Sequence, residues 1–283
     1  MSDTIIQAQC VNLAELNNLF IDLEYQKPQS QGYSIYRSRS FNQKNKKYLQ
    51  LDEIKSALLK TDKSKLQYIY LIGENSMAHP EFNHILRLCL NIAPVTIFSD
   101  GSNINDKKAR FLKRVEEEGD NEIIFKIEMN HYDEKTNDTF SSRGSFRKAV
   151  HAIMSLNKYG FNPILFIKSN APKDELKNGF KEIGQKFGFE TEDINLCFVP
   201  DITQEQTSDE SEKSTVNNDF NADCVNSRLY AKNGIYNCPM LKNDYRGRCG
   251  ATLSDFSPKC YLETEKCNIC KKYNQKLYAN NWQ

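Results

Sequence analysis

Six of the nine cysteines in this sequence fall within one short stretch near its end. In chain order they are Cys224, Cys238, Cys249, Cys260, Cys267 and Cys270. Two cysteines before a turn and a CxxC pair after it can converge on a tetrahedral site of four sulfur atoms, which suits zinc and iron–sulfur clusters alike. The predicted metal ligands are Cys224, Cys238, Cys267 and Cys270, with Cys249 and Cys260 as alternates. Reduced thiols that hold no metal are a third interpretation of the same spacing.

A disulfide framework is not expected for these cysteines. The N-terminal sequence MSDTIIQAQC lacks the basic and apolar regions of a signal peptide, so the chain is predicted to be cytoplasmic. No apolar run reaches the roughly 20 residues of a membrane-spanning helix. The cytosol keeps thiols reduced, which favours metal ligation over disulfides.

The charge composition of the chain indicates which kinds of partner it does not favour. The chain has 38 Lys and Arg against 37 Asp and Glu, a formal net charge of +1. A balanced charge provides no field that would hold nucleic acid or an anionic membrane, so neither is predicted as a partner. With 39% hydrophobic residues, the chain can bury a sizeable core and is not expected to be disordered.

The elements that position the candidate residues alternate between apolar runs and amphipathic helices. Strands are predicted over 68–72, 95–98, 122–129, 163–167 and 195–199. Helices are predicted from residue 51 and over 81–90, 106–118, 145–159 and 173–187, and a further helical segment is predicted from Leu13, Leu16, Phe20 and Ile21. About six β/α units with short connections predict an α/β fold, a parallel sheet curled into a partial TIM-like barrel.

Three regions follow from the change in composition along the chain. Residues 1–200 are predicted to form the partial barrel, and 201–223 a polar linker rich in Ser, Thr, Glu, Asp and Asn. Residues 224–283 are predicted to form a small cysteine-rich extension. That extension is too small for an apolar core of its own and is expected to need a metal or the barrel surface.

Polar residues stand where the predicted strands end, which is where α/β folds bind ligands. Gly73-Glu74 follows the strand 68–72, and Ser99-Asp100-Gly101 follows the strand 95–98. Glu128 closes the next strand, and the run Arg143-Gly144-Ser145-Phe146 opens a helix.

This order of motifs resembles the radical S-adenosylmethionine (radical SAM) superfamily. Its partial (β/α)6 barrel typically reads GGEPLLHPDF, then TNG, then RGxGSF, and the resemblance covers roughly residues 66–170. The resemblance implies a methionine-binding turn at Gly73 and Glu74, with Ser99 and Asp100 nearby. Glu128 and Arg143 are the other predicted cofactor-binding residues.

The sequence departs from that family at the residues that would hold the radical-generating cluster. The family motif CxxxCxxC supplies three thiolates to a [4Fe–4S] cluster, and the remaining iron chelates the cofactor. Here Cys10 is followed at that spacing by Ala14 and Asn17, so Cys10 is interpreted as the remnant of the motif. One thiolate cannot hold the cluster, which argues against S-adenosylmethionine binding. The alternative interpretation of Cys10 is a small buried residue at a strand end.

Two further departures lie at the cofactor-facing turn. Ile72 replaces the first glycine of the family motif and Asn75 its proline, while Asp100 stands where asparagine is usual. A side chain at Ile72 would crowd a backbone that must approach a ligand closely.

The tail carries a second resemblance. The run Gly234-Ile235-Tyr236-Asn237-Cys238-Pro239 resembles the hairpin of the auxiliary-cluster domains called SPASM or twitch, and Cys267-x2-Cys270 resembles their closing pair. The resemblance implies one [4Fe–4S] cluster in the tail, with zinc as the alternative.

Three functions are consistent with these observations. The first is a radical-SAM-like protein that has lost its radical-generating cluster and acts as a binding or partner subunit, with a peptide or protein partner. The second is an active radical SAM enzyme whose cluster is completed unusually, for example by a partner's cysteines. The third is an α/β binding protein stapled by zinc.

Overall fold

The structure is a computed structural model that describes residues 9–25, 47–73, 75–189, 195–200, 220–262, 264–273 and 276–279. Its strands are β1 Cys10–Asn12, β2 Asn18–Asp22, β3 Glu24–Tyr25, β4 Lys47–Tyr48, β5 Tyr68–Ile72, β6 Val95–Ser99, β7 Ile123–Glu128, β8 Ile164–Lys168, β9 Leu196–Val199, β10 Ser227–Ala231, β11 Gly234–Tyr236, β12 Arg248–Thr252, β13 Asp255–Phe256 and β14 Lys259–Tyr261. Its α-helices are α1 Leu51–Leu59, α2 Phe82–Leu90, α3 Asp106–Glu117, α4 Glu134–Phe140, α5 Ser145–Lys158, α6 Lys173–Phe187 and α7 Glu265–Tyr273. The described residues form two compact units: a mixed unit of residues 9–67 and 220–279, and a parallel unit of residues 68–200.

The parallel unit is built from repeated β/α steps. Its strands β5 to β9 pair in chain order, and every pair is parallel. One face of this sheet carries Tyr70, Phe98 and Phe166, whose rings contact in sequence at 6.4 and 5.4 Å between centroids. Because paired residues of parallel strands share a face, Lys126 and Glu128 lie on this face as well.

The predicted strands and helices of the parallel unit are confirmed within one or two residues at their ends. Local signals explain the boundaries: the side chain of Asn105 accepts from the Lys108 amide at 2.9 Å and begins α3. Gly160 follows the end of α5 with φ of 80°, the left-handed conformation in which glycine commonly terminates a helix. The α/β fold with a mostly parallel sheet and flanking helices is therefore confirmed, and it is consistent with a partial TIM-like barrel.

The mixed unit joins the start of the chain to its tail. β10 pairs with β2 in parallel and with β11 in antiparallel register, and β12 and β13 extend the sheet. Separately, β1 pairs antiparallel with β14, so that Cys10 lies opposite Tyr261. The predicted division at residues 200 and 224 stays a prediction, and most of the predicted linker lies outside the described residues.

The predicted helix around Leu13 to Ile21 is wrong. Phe20 and Ile21 lie in β2, and all five residues of β2 are buried. Their apolar side chains therefore belong to a fully buried strand and not to one face of a helix. Leu59 at the end of α1 and Met154 on α5 are exposed apolar side chains, by 66% and 45%.

No helix in the described part of the chain has both the length and the apolar character needed to cross a membrane.

Candidate functional site

The turn after β5 has the backbone shape of a ligand-facing glycine turn. Gly73 is buried and has φ of 144°, a conformation that residues with a side chain rarely adopt. Ile72 immediately before it is buried at the end of β5. Glu74, the predicted carboxylate of this turn, lies outside the described residues. Asn103 donates a hydrogen bond to the side chain of Asn75, which ties this turn to the loop after β6.

The loop after β6 is held by its own polar side chains. Ser99 accepts a hydrogen bond from the Gly101 amide at 3.0 Å. Asp100 accepts from the amide of Ser102 at 2.9 Å and from its hydroxyl at 2.6 Å. Both predicted cofactor residues of this loop therefore stabilise the loop itself.

Glu128 is held by two neighbours at the same sheet edge. Its Oε1 forms an ion pair with Lys168 Nζ at 3.0 Å and accepts from Asn130 Nδ2 at 3.0 Å. Asn130 in turn accepts from the Lys168 amide at 2.9 Å. The carboxylate is thus part of an internal network that joins the ends of β7 and β8.

The backbone amides at the start of α5 donate hydrogen bonds to a carboxylate of the preceding helix, α4. Asp138 accepts hydrogen bonds from the amides of Gly144 and Phe146 and from the Ser145 hydroxyl. These bonds, that of the Phe146 amide foremost, hold the pKa of Asp138 below its usual value. The side chain of Arg143 is exposed. Asp138 therefore occupies the backbone amides at the start of α5.

Lys126 is a polar residue of the sheet face that the sequence analysis missed. Its side chain is 1% exposed, and Nζ lies 5.2 Å from the ring centre of Phe98 and 5.9 Å from that of Phe166. The signal was present as a lysine within the apolar run Ile123–Glu128, on the same face as Glu128.

The second candidate region is the group of tail cysteines in the mixed unit. Cys224 lies in a 3-10 helix, Cys238 precedes another, and Cys260 lies on β14. Cys267 and Cys270 lie on α7, where a spacing of three residues places them on one helix face. All nine cysteines of the chain are free thiols.

These thiols interact with one another. Cys224 donates a hydrogen bond to the sulfur of Cys260, which is the main cause that raises the pKa of Cys224 and lowers that of Cys260. Burial raises the pKa values of Cys238, Cys267 and Cys270, and the charge of Cys260 adds to each. The four predicted ligands and the alternate Cys260 therefore form one group.

Cys249 stands somewhat apart from that group. It is half-buried on β12, and its thiol donates to the Ile235 carbonyl at 3.6 Å. Burial raises its pKa, while the positive charge of Arg228 lowers it.

Thiols are the ligand type that soft metals prefer, but as placed these thiols do not form a metal-binding group. As placed, no group of three or more His, Cys, Asp or Glu side chains in the described ranges could hold a metal ion. One buried atom beside the group is left unsatisfied: Arg228 Nε has no hydrogen-bond partner. Five largely buried thiols match the ligand type of a metal-thiolate site.

The predicted remnant of the cluster motif lies on and after β1. Cys10 is exposed, so the interpretation of Cys10 as a small buried residue is wrong. The Ala14 amide donates to the Val225 carbonyl at 3.1 Å. The side-chain amide of Asn17 donates to Glu15 at 3.0 Å and to the Lys65 carbonyl at 3.2 Å.

The fold defines the class as an α/β protein with a mostly parallel sheet and flanking helices. A similar solved structure is that of SuiB from Streptococcus suis, bound to S-adenosylmethionine, with a TM-score of 0.54 and 9% sequence identity. The likeness covers 92% of this chain and 64% of the SuiB chain, so this chain spans less than two thirds of SuiB's length. At that identity the likeness concerns the fold alone. No protein-family model and no curated protein sequence matches the chain.

Proposed function

We propose that this protein is a radical-SAM-like binding or partner subunit that has lost the radical-generating cluster and holds a metal site in its tail. The observation that carries the proposal is the distribution of thiols. The sequence contains no CxxxCxxC motif, and Cys10 is the only cysteine before Cys89. Three thiolates are needed to hold such a cluster with one iron open, and the chain does not supply them.

Three carboxylates at or near the predicted cofactor residues support the loss of the radical site. Asp100, Glu128 and Asp138 are each engaged by the chain's own amides, hydroxyls or lysine. A carboxylate that is already satisfied loses those contacts before it can bind a ligand, which weakens any cofactor binding at this edge. Without a radical-generating cluster the barrel has no radical chemistry to perform, and a binding role is what we propose for it. The proposed partner is a peptide or a protein.

A second candidate, an active enzyme completed by a partner's cysteines, is favoured by one feature. Gly73 keeps the buried, positive-φ turn that the motif requires. SuiB was solved with S-adenosylmethionine bound, which makes that compound the probe of choice. Titration calorimetry with S-adenosylmethionine separates the two candidates: binding would contradict the loss of the site.

In the tail we propose that Cys224, Cys238, Cys267 and Cys270, with Cys260 as the nearest alternate, converge on a [4Fe–4S] cluster. When bound, such a cluster or a zinc ion would cross-link segments that are distant in the sequence. Anaerobic purification and reconstitution followed by iron, sulfide and zinc analysis tests this proposal. About four irons per chain indicate the tail cluster alone, and about eight indicate a second cluster. Zinc without iron would support a zinc-stapled binding protein.

Two variants, Cys267→Ser and Cys270→Ser, test the ligand assignment in the tail. Each should lose the bound metal and destabilise the tail, because serine oxygen is a poor ligand for the soft site. Cys197→Ser is the control, since Cys197 is a half-buried thiol on β9. Unchanged metal content in both tail variants would show that the ligand assignment is wrong.

A further inference from the structure

The outward side of helix α5 carries basic and apolar side chains and no carboxylate. The helix has the sequence SFRKAVHAIMSLNK, in which Arg147, Lys148 and Lys158 are cations and no residue is Asp or Glu. Its other side is buried in the parallel unit and includes Phe146 and Ile153. The buried side supports the fold, and the residues of the outward side are available for another role.

Four exposed residues of α5 follow one line along the helix. Arg147, His151, Met154 and Lys158 are separated by four, three and four positions, which places them in one stripe on the helix surface. At 1.5 Å per residue the stripe is about 16 Å long. Lys148 is exposed beside it. These five residues are called the basic face of α5 below.

On the side of α3, the basic face borders one carboxylate and a further cation. Asp106 accepts a hydrogen bond from Ser155 Oγ at 2.9 Å and forms an ion pair with Lys158. Arg110 of α3 is exposed, and its positive charge acts on Lys158. Asp106 is therefore already bonded to α5, while Arg110 adds positive charge to the same surface.

On the side of α4, the carboxylates that reach α5 are also bonded to it. Glu134 accepts from Arg147 Nε at 2.7 Å. Asp138 accepts from backbone amides at the start of the helix. Within the residues that the structure describes, no ion pair joins Lys148 to a carboxylate. The basic face thus keeps an excess of positive charge after its own ion pairs have formed.

Met154 places an apolar side chain in the middle of this charged stripe. Of the described residues 68–200, the large apolar side chains that are exposed are Met154, by 45%, and Phe140, by 37%. Methionine is unbranched and polarizable, and it adapts to irregular partner surfaces. An apolar contact with a polar rim is the usual arrangement of a protein–protein interface.

We propose that the basic face of α5 is the docking surface for an acidic segment of the partner. The inference rests on the proposed binding role, and it adds the chemistry of the partner: carboxylates that meet Arg147, Lys148 and Lys158, and one apolar side chain that covers Met154. Complementary charge speeds encounter and disfavours basic partners. Nucleic acid fits less well, because the centre of the stripe is a thioether and not an aromatic ring on which a base could stack.

The probe is a fluorescein-labelled helical peptide, acetyl-EAALEAAEEAALEAAE-amide. Its control is the same peptide with glutamine in place of every glutamate, which keeps the length and the apolar residues. Binding to the full-length protein is measured by fluorescence anisotropy at low salt and at about 0.15 M salt, where charges more than about 8 Å apart are screened.

Three variants separate charge, apolar contact and position. Lys148→Glu reverses a cation that has no ion pair, and Met154→Ser removes the apolar side chain. Lys181→Glu is the matched control, because it makes the same charge change at an exposed lysine on the neighbouring helix α6. All three positions are exposed, and circular dichroism melting checks that each variant folds.

The wild type should bind the acidic peptide more tightly than the glutamine peptide, and the difference should shrink as salt rises. Lys148→Glu should weaken binding of the acidic peptide about 10-fold at low salt and less at the higher salt. Met154→Ser should weaken binding about 3- to 10-fold at both salt concentrations, because the loss is one of apolar burial. Lys181→Glu should match the wild type.

Several results would overturn the inference. One is a wild-type protein that does not distinguish the two peptides, and another is an equal loss of binding in Lys148→Glu and Lys181→Glu. A DNA duplex that binds as tightly, with the same dependence on Lys148 and Met154, would make the face a general polyanion site. A wild-type dimer that Met154→Ser dissociates, seen by sedimentation, would assign the face to a second copy of the chain.

Calorimetry with S-adenosylmethionine keeps this inference separate from the proposed function. If that compound binds while the peptide results hold, the loss of the radical site is wrong and the docking surface stands. If it does not bind and the peptides are not distinguished, the docking surface alone is wrong.

Discussion

Cys260 is the thiol with which every other cysteine of the tail interacts. Its charge acts on Cys238, Cys249, Cys267 and Cys270, and it accepts the hydrogen bond of Cys224. Spacing identified the tail cysteines as a group but ranked Cys260 only as an alternate. The pairing of β14 with β1 decides its position, and such a long-range pairing leaves no mark in local spacing.

A second single-residue feature lies at the end of β2. Asp22 is 1% exposed and forms an ion pair with Lys242. Burial raises the pKa of Asp22, while the charge of Lys242, its hydrogen bond and the Glu24 amide oppose that rise. Lys242→Met should lower the free energy of unfolding at neutral pH by about 3–5 kcal/mol, because it leaves a buried carboxylate unpaired.

The raised pKa of Asp22 determines how the stability loss in Lys242→Met should change with pH. The folded-state pKa of Asp22 lies above the unfolded-state value, so the charged form costs stability above the folded pKa. That cost fades as pH falls through the folded pKa toward the unfolded one. Urea unfolding of Lys242→Met over a pH series should therefore show a deficit that shrinks on acidification. A double variant with Asp22→Asn should recover most of the loss, and a deficit independent of pH would contradict the assignment.

Among the elements, the loop after β6 owes its shape to close packing on α5. Gly101 has φ of 80°, and a Cβ there would lie 2.8 Å from the Lys148 carbonyl oxygen and 3.0 Å from Ala149 Cα. Gly101→Ala should therefore cost the strain of a left-handed backbone, about 1–2 kcal/mol, plus a further 1–3 kcal/mol or so of overpacking. Chemical denaturation measures the sum.

Gly160→Ala is the control that isolates the packing term. Gly160 has the same φ of 80°, but a Cβ there would meet nothing within 4 Å. The difference between the two variants should equal the overpacking cost at Gly101. Equal destabilisation in both would mean that this loop is not held by α5.

The elements of the parallel unit could be predicted because each signal is local. A strand such as Ile164–Lys168 is a short apolar run, and a helix such as Ser145–Lys158 has its own periodic apolar face and glycine stop. The apolar residues of β2 fit helical spacing as well as a strand, and the long-range pairing with β10 makes this segment a strand. Asp138 of α4, whose carboxylate accepts from the amides at the start of α5, was missed because it lies outside the motif Arg143–Phe146.

On the scale of the whole molecule, the start of the chain and its tail share one compact unit. The polar composition of residues 201–223 predicts a change along the sequence. It could not predict that β10 would pair with β2, or β14 with β1, because both pairings join residues more than 200 positions apart. Stability of the N-terminal segment is therefore tied to residues that sequence alone assigns to another region.

Asp223→Ala tests this organisation without relying on bound metal. The buried Asp223 carboxylate holds three amides of residues 277–279, and each charged hydrogen bond contributes about 1.5–3 kcal/mol. The variant should lose hydrogen-exchange protection, read by mass spectrometry, in β10 to β12, in β14 and also in the distant β1. Protection in β6 to β8 of the parallel unit should stay at the wild-type level, because separate compact units can open separately.

Asp255→Ala, at an exposed carboxylate on β13, is the control and should change neither unit. If β1 stays protected while the tail opens, the start of the chain folds with the parallel unit, as the predicted division at residue 200 requires.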